Sequence, residues 1–331
     1  MVNNYYYRQS IDVDLDKQIL CRMNKKNAYS IFSNHEEMGN FVKKIYLKYF
    51  YTFRYKLLSD KAFIKKKFKK TFKYELNLEN PKTFTEKIQW LKLNNKDCLL
   101  TQCADKLAVR NYVKEKIGEK YLVPLIYYTN NVNDINLEKL PNFPVIIKTN
   151  NNSGGTIVVV DKNVCNFKEI QKKLKKALKT NFFYVGREWE YKNVKPCIII
   201  EKLLKDDSNN DILNDYKVHC FNGIPQYIQT IFDRNIEMKE NWYDTEWNLL
   251  NVYYFSSLKK QISKPKLLNK LIEIATILSK DFIYVRVDLY ISQNKIYFGE
   301  LTFRPYAGFM KFHPKEFDRI LGEKLKLPIE K

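Results

Sequence analysis

The chain has 331 residues, 45% of them hydrophobic, and a formal net charge of +21. That length supports one large domain or two coupled ones, and no apolar run approaches the ~18 residues of a spanning helix. Six cysteines without a C-x-x-C pair and three scattered histidines argue against a disulfide framework or a zinc ribbon, and the N-terminus lacks a secretory pattern, so a reduced, cytoplasmic protein is expected.

Residues 1–56 read as an N-terminal extension. From Phe41, apolar residues recur every four positions (Phe41, Ile45, Tyr49, Phe53, Leu57) among lysines, which predicts a basic amphipathic helix. Residues 41–75 hold twelve Lys and Arg against Asp60 and Glu75, so this stretch supplies +10 of the net charge. Two readings of 41–73 stay open: a lysine face left to solvent, or peripheral contact with an anionic membrane surface. No nucleic-acid-binding motif accompanies the charge.

A second part, 57–140, carries a helix over 84–93 after the Asn80-Pro81 breaker and a helix from Leu99 through Lys116 closed by Gly118. A third part, 141–203, reads as β-β-α-β. The strand "FPVIIKT" leads through "NNNSGG" to "TIVVVD"; next comes a helix with Asn166 and Glu169 as a capping-box-like pair, then "CIIIEKLL". Gly154 and Gly155 stand out because the chain has only nine glycines, where average usage would give about 23. Paired glycines suit a loop that approaches a ligand closely.

The last part, 204–331, begins with "DYKVHCFNGIPQYIQTIF", where Asn222-Gly223 between alternating runs predicts a type I′ hairpin. Pro265 marks the expected first position of a helix, and "FIYVRVDLY" and "KIYFGELTF" follow as two strands joined by "ISQN". Alternation puts Arg286 and Asp288 on one face of the first strand and Glu300 and Thr302 on one face of the second. Paired as a hairpin, the four converge. Two carboxylates and a hydroxyl suit a hard cation such as Mg2+, and a guanidinium beside them can grip phosphate oxygens. Asp215, Lys217 and His219 likewise share a face.

The order of these pieces resembles the ATP-grasp fold, an α+β architecture in which two subdomains clamp a nucleotide. It is similar in particular to the TupA-like ATP-grasp family, on the strings "LENPKTFTEKIQWLKL", "ADKLAVRNYV", "IIKTNNNSGG", "GREWEYKNVKP", "IIIEKLL", "DYKVHCFNG", "VRVDLY" and "YFGELTF", which span about residues 57–328. The resemblance implies ATP and Mg2+ as cofactors. It implies that Lys148 contacts phosphates, that Ser153, Gly154, Gly155 and Thr156 form a loop over them, and that Glu201 with the backbone of Lys202 and Leu203 holds adenine and ribose. Lys217 becomes a second phosphate-facing lysine, Asp288, Glu300 and Thr302 hold the metal, and Arg286 steadies the transferred phosphoryl group.

The third metal position, asparagine in many ATP-grasp enzymes, is Thr302 here. The segment that the branch tends to write as TPGSG reads "RPYAG", and Glu190 stands where the branch has histidine. Arg304 and Tyr306 therefore imply a different or additional anionic group at the acceptor site, with Arg304 a candidate catalytic residue. The implied reaction is an amide-forming carboxylate–amine ligation through an acyl phosphate. Its acid is a uronic or amino acid, on a sugar-nucleotide or lipid-linked precursor of a capsular or other surface polysaccharide. Two rivals remain open. A glycosyltransferase would need a D-x-D cluster, matched only at Asp12–Asp14, and a non-catalytic polyanion-binding protein would leave the Gly-Gly loop unexplained.

Overall fold

The computed structural model describes residues 58–152, 155–204, 215–232, 239–258 and 260–329. The basic helix expected over 41–57, the Asp12–Asp14 match, Ser153 and Gly154 lie outside the described residues. The chain divides into two compact units, Met1–Phe63 and Ile64–Lys331. The first enters the description only at 58–63, where the amide of Phe63 donates to the Ser59 carbonyl at 2.9 Å and opens helix α1 (Asp60–Phe72).

In the second unit, α2 (Phe84–Asn94) starts on a complete capping box: Thr83 accepts from the Glu86 amide, and Glu86 accepts from the Thr83 amide. Asp318 adds a tertiary cap, accepting from the Thr85 amide at 2.9 Å and its hydroxyl at 2.6 Å. The single helix expected over 99–116 is two helices, α3 (Cys98–Ala104) and α4 (Val109–Ile117). Asp105 is the cause, because its side chain accepts from the amides of Leu107 and Ala108 at 2.8 and 3.2 Å, taking donors that a continuous helix would need. Gly118 ends α4 at φ 98°, as the sequence predicts.

The small sheet has the order β1-β4-β2-β3, from β1 (Leu125–Thr129), β2 (Val145–Thr149), β3 (Ile157–Val159) and β4 (Ile198–Lys202). The β-β-α-β order is present in β2, β3, the helix and β4; in addition β1 pairs with β4, and Ile135 and Leu140 join the small core. Helix α5 (Phe167–Leu178) covers one face of this sheet, burying Ile170 and Leu174 against Val145, Ile147, Val159, Ile198 and Ile200. Asn166 accepts from the Glu169 amide at 3.2 Å, which gives one half of the expected capping box.

The large sheet has the order β10-β9-β5-β6-β7-β8. Its strands are β5 (Asp215–Phe221), β6 (Ile224–Phe232), β7 (Lys239–Tyr243), β8 (Leu249–Leu250), β9 (Tyr284–Ser292) and β10 (Lys295–Thr302). Asn222 and Gly223 take φ 50° and 80°, and Gln293 and Asn294 take 51° and 53°, so both hairpins turn through paired left-handed residues. Helix α6 (Leu268–Ser279) starts three residues beyond Pro265, whose carbonyl accepts from the Leu268 amide. It covers the face carrying Val218, Cys220, Val285, Val287 and Leu289. Helix α7 (Glu316–Lys324) packs on the start of α2.

At that junction a β-carbon on Gly322 would lie 2.1 Å from the Lys82 carbonyl and 2.9 Å from the Phe84 amide. Gly322→Ala is expected to lower unfolding free energy by about 2 kcal/mol or more, since backbone on both sides cannot yield cheaply. Denaturant titration checks this, and a wild-type midpoint would refute the packing.

Candidate active site

Cross-strand partners share a face, so register determines what each sheet offers. On the small sheet, Ile146 lies opposite Glu201 and Val158, and Ile199 opposite Lys148 and Tyr128. The face not covered by α5 therefore carries an apolar bed of Ile146, Val158 and Ile199 with Lys148 and Glu201 set into it. Glu201 is shared: Arg110 of α4 donates to Oε1 at 2.9 Å and Lys148 meets Oε2 at 2.7 Å. Arg110 is itself anchored on the Val123 carbonyl at 3.0 Å. An aromatic base fits such a bed, and the carboxylate between two cations is held in one place.

At the end of β4 the backbone amides are already engaged. The amide of Lys202 donates to the Pro124 carbonyl and that of Leu203 to the Pro144 carbonyl, both at 3.0 Å. The backbone contact expected from these two residues is thereby reduced to their carbonyl oxygens. Gly155 sits at φ 75°, a conformation that favours glycine, and Thr156 beside it is exposed.

On the large sheet, two cross-strand rows hold the polar face. One runs Glu300–Asp288–Lys217–Gln229, and the next Thr302–Arg286–His219–Tyr227. The convergence of Arg286, Asp288, Glu300 and Thr302 expected from alternation is present. Arg286 grips Asp288 with two bonds, Nε to Oδ1 at 2.6 Å and a terminal nitrogen to Oδ2 at 2.7 Å. The same guanidinium reaches Thr302 Oγ1 at 3.1 Å and lies 3.6 Å from Glu300. Lys217 bonds Asp288 Oδ2 and stands 3.3 Å from Asp215. Burial would push the Asp288 carboxyl up, but the Arg286 and Lys217 charges outweigh it and hold it at about 2, so Asp288 stays ionised.

His219 is not a base. It is fully buried, its Nδ1 is 2.8 Å from the Tyr284 hydroxyl, and burial together with Arg286 pushes its pKa down to about 3. No cluster of three or more His, Cys, Asp or Glu able to hold a metal occurs among the described residues. The hard oxygen set of Asp288, Glu300 and Thr302 fits Mg2+, which characteristically takes its remaining ligands from phosphate and water.

Lys106 was not singled out from the sequence. Its ammonium bonds the Asn152 carbonyl at the edge of the Gly loop, and its amide donates to the Asn150 carbonyl at 3.3 Å. Burial lowers its pKa, opposed by Glu300 of the large sheet and Glu201 of the small one, while Lys148 reinforces the lowering. Glu300 of the large sheet and Lys148 and Glu201 of the small one are thus near enough to act on the Lys106 charge. Lys106 falls in the turn between α3 and α4, four residues before Arg110, so no helical periodicity marks it in "ADKLAVRNYV".

Arg304, a candidate catalytic residue in the sequence, is 1% exposed and donates to the Phe303 carbonyl at 3.0 Å and to Asn95 Oδ1 at 3.1 Å. Burial lowers its pKa; Glu190 and then Glu188 oppose that. With Lys92 these residues form a buried charged cluster behind the Arg304–Gly308 segment. Burial raises the Glu188 pKa and lowers that of Lys92.

Removing the carboxylate that Arg286 and Lys217 share leaves two cations buried and uncompensated. Asp288→Ala should cost about 3–5 kcal/mol of stability. Glu300→Ala should cost less than about 1 kcal/mol, because the Glu300 side chain is 35% exposed. Urea denaturation of both variants tests the contrast, and equal losses would contradict it.

A family model described as TupA-like ATPgrasp matches residues 86–326. No curated protein sequence matches the chain. Among solved structures, D-alanine–D-alanine ligase from Bacillus anthracis complexed with ATP is similar at TM-score 0.37 and 18% identity, covering 62% of this chain and 55% of that one. The enzyme of the same name from Helicobacter pylori is similar at 0.35 and 16%, covering 70% and 60%. The ATP-grasp ligase PsnB complexed with a minimal precursor is similar at 0.36 and 11%, covering 73% and 67%. The chain therefore spans little more than half the length of the first of these proteins. The family match extends over most of the sequence and includes both sheets and the residues described above: the chain belongs to the TupA-like ATP-grasp family.

Proposed function

We propose that the protein is an ATP- and Mg2+-dependent carboxylate–amine ligase that forms an amide through an acyl phosphate. The observation that carries this reading is the polar face of the large sheet, where Arg286 and Lys217 share Asp288 beside Glu300 and Thr302, together with Lys148 paired to Glu201 on the uncovered face of the small sheet. These residues offer the cations and the hard oxygens that a magnesium-bound triphosphate requires.

In this reading adenine lies on Ile146, Val158 and Ile199, and Glu201 takes the ribose or the base edge. Lys148, Lys106 and Lys217 meet the phosphates, and Gly155 and Thr156, with Ser153 and Gly154, close over them. Asp288, Glu300 and Thr302 would hold Mg2+, which supplies charge neutralisation at the phosphates. Arg286, locked by Asp288, is aimed at the transferred phosphoryl group. A carboxylate oxygen of the acid bonds to the γ-phosphorus as the bond to the departing ADP oxygen breaks. The amine nitrogen then attacks the acyl carbon and phosphate leaves. No side-chain nucleophile is needed; positioning and electrostatics do the chemistry.

The family context supports an acid or amine carried on a precursor of a surface polysaccharide, with uronic and amino acids as the candidate carboxylates. No helix among the described residues is long and apolar enough to cross a membrane. Peripheral membrane contact through 41–73 remains a proposal; sedimentation with anionic liposomes at low salt tests it, and absence of binding removes it.

A ligand at 100 times its dissociation constant stabilises a fold by about 2.7 kcal/mol. Mg-ATP is therefore expected to raise the melting temperature, and oligonucleotides and UDP-sugars without a carboxylate, such as UDP-glucose, to leave it unchanged. Lys148→Ala should lose both the Mg-ATP shift and ADP formation. Wild-type turnover in that variant, or stabilisation by UDP-glucose in place of ATP, would reject the assignment.

A further inference from the structure

Tyr306 is an unusual residue in a conspicuous place. It is 39% exposed, and with Ala307 it takes positive φ, 51° and 53°, a conformation that bulky side chains rarely adopt. The turn is braced from behind. Gln89 donates to the carbonyls of Ala307 and Gly308 at 3.1 and 2.8 Å, and Lys92 donates to the Ala307 carbonyl at 2.9 Å. Gly308 has no room for a β-carbon, which would lie 2.5 Å from both Gln89 and Ile88. Left-handed backbone held this firmly, ending in an exposed tyrosine, is the pattern of a binding element rather than of a slack loop.

Two further rings complete it. Tyr254 and Phe255 each meet the Tyr306 ring edge to face, with centroids 5.2 Å away and planes at 71°. Their own position is set by the buried Glu240, which accepts from both backbone amides and from Gln229; Gln229 in turn donates to the Tyr254 hydroxyl at 3.0 Å. Gln229 stands directly across from Lys217 in the row that contains Asp288. Tyr254 lies in the field of Arg286, and Tyr306 in the fields of Arg286 and Lys217. The platform therefore adjoins the cations of the reaction centre.

We propose that Tyr306, backed by Tyr254 and Phe255, is the stacking platform for the acid activated at this site, and that this acid is a carboxylate borne on a six-membered ring. Resting on the ligase reading, the proposal adds the shape of the substrate. An aromatic face rewards a flat aromatic ring or the C–H face of a pyranose, and adjoining cations reward an anion, whereas a short acyclic acid offers no ring face to stack. Sugar acids and aromatic acids share the ring and the carboxylate.

The test removes the unknown amine by supplying hydroxylamine. The acid's oxygen bonds to the γ-phosphorus as ADP departs. Hydroxylamine nitrogen then displaces phosphate and loses a proton to water, leaving a hydroxamate that is read colorimetrically. Full-length protein with Mg-ATP is assayed on panels of sugar acids (glucuronate, galacturonate), aromatic acids (4-hydroxybenzoate) and acyclic acids (glycine, D-alanine, succinate). The expected result is preference for a ring acid, with the sugar and aromatic arms showing which source the site takes. Tyr306→Ala should raise KM for that acid about tenfold with kcat changed less than about twofold, and Tyr306→Phe should restore KM. Preference for acyclic acids, no activation of any ring acid, or an unchanged KM in Tyr306→Ala would overturn it. If Mg-ATP also fails to raise the melting temperature of the wild type, the ligase reading falls too; if that rise persists, only the platform is lost.

Discussion

The arrangement depends on one carboxylate shared by two cations. Asp288 sits at the crossing of β5, β9 and β10, facing Lys217 on one side and Glu300 on the other. By taking both bonding nitrogens of Arg286, it fixes the direction of the guanidinium, and by bonding Lys217 it holds a second charge at the same depth. Charges this buried are tolerable only because they neutralise one another. The same pairing provides an ionised oxygen donor, an oriented arginine and a lysine within a few ångströms, which phosphoryl transfer draws on. Glu201 between Arg110 and Lys148 repeats the device on the small sheet.

Period-two alternation made much of this legible. "VRVDLY" and "FGELTF" each mark one polar face, and a short turn allows only a register that brings those faces together. Asn222-Gly223 located its hairpin for a local reason of the same kind. The misses have a common cause, interactions that no short window contains. Asp105 breaks a run that otherwise reads as one helix, because its side chain reaches forward to two amides. β1 belongs to the small sheet only through pairing with β4, some seventy residues on. Lys106 and Arg110 look like surface charges of a helix until the fold turns them toward Asn152 and Glu201.

Arg304 shows the same limit at a functional segment. From sequence it is a cation two residues past the metal-type threonine, which suggests a substrate contact. In the fold it is sealed, and the strongest opposite charge acting on it is Glu190. Glu190 and Arg304, two of the positions at which this chain departs from the pattern of its family, are both buried. The exposed feature of the segment is Tyr306.

The proposed nucleotide site lies between the uncovered face of the small sheet and the polar face of the large one. A crystal structure with Mg2+ and a non-hydrolysable ATP analogue tests it most directly. The account predicts the base against Ile146, Val158 and Ile199, and the terminal phosphates between Lys148 and the Asp288–Glu300 pair. A nucleotide seated elsewhere, or a metal that touches neither carboxylate, would contradict it.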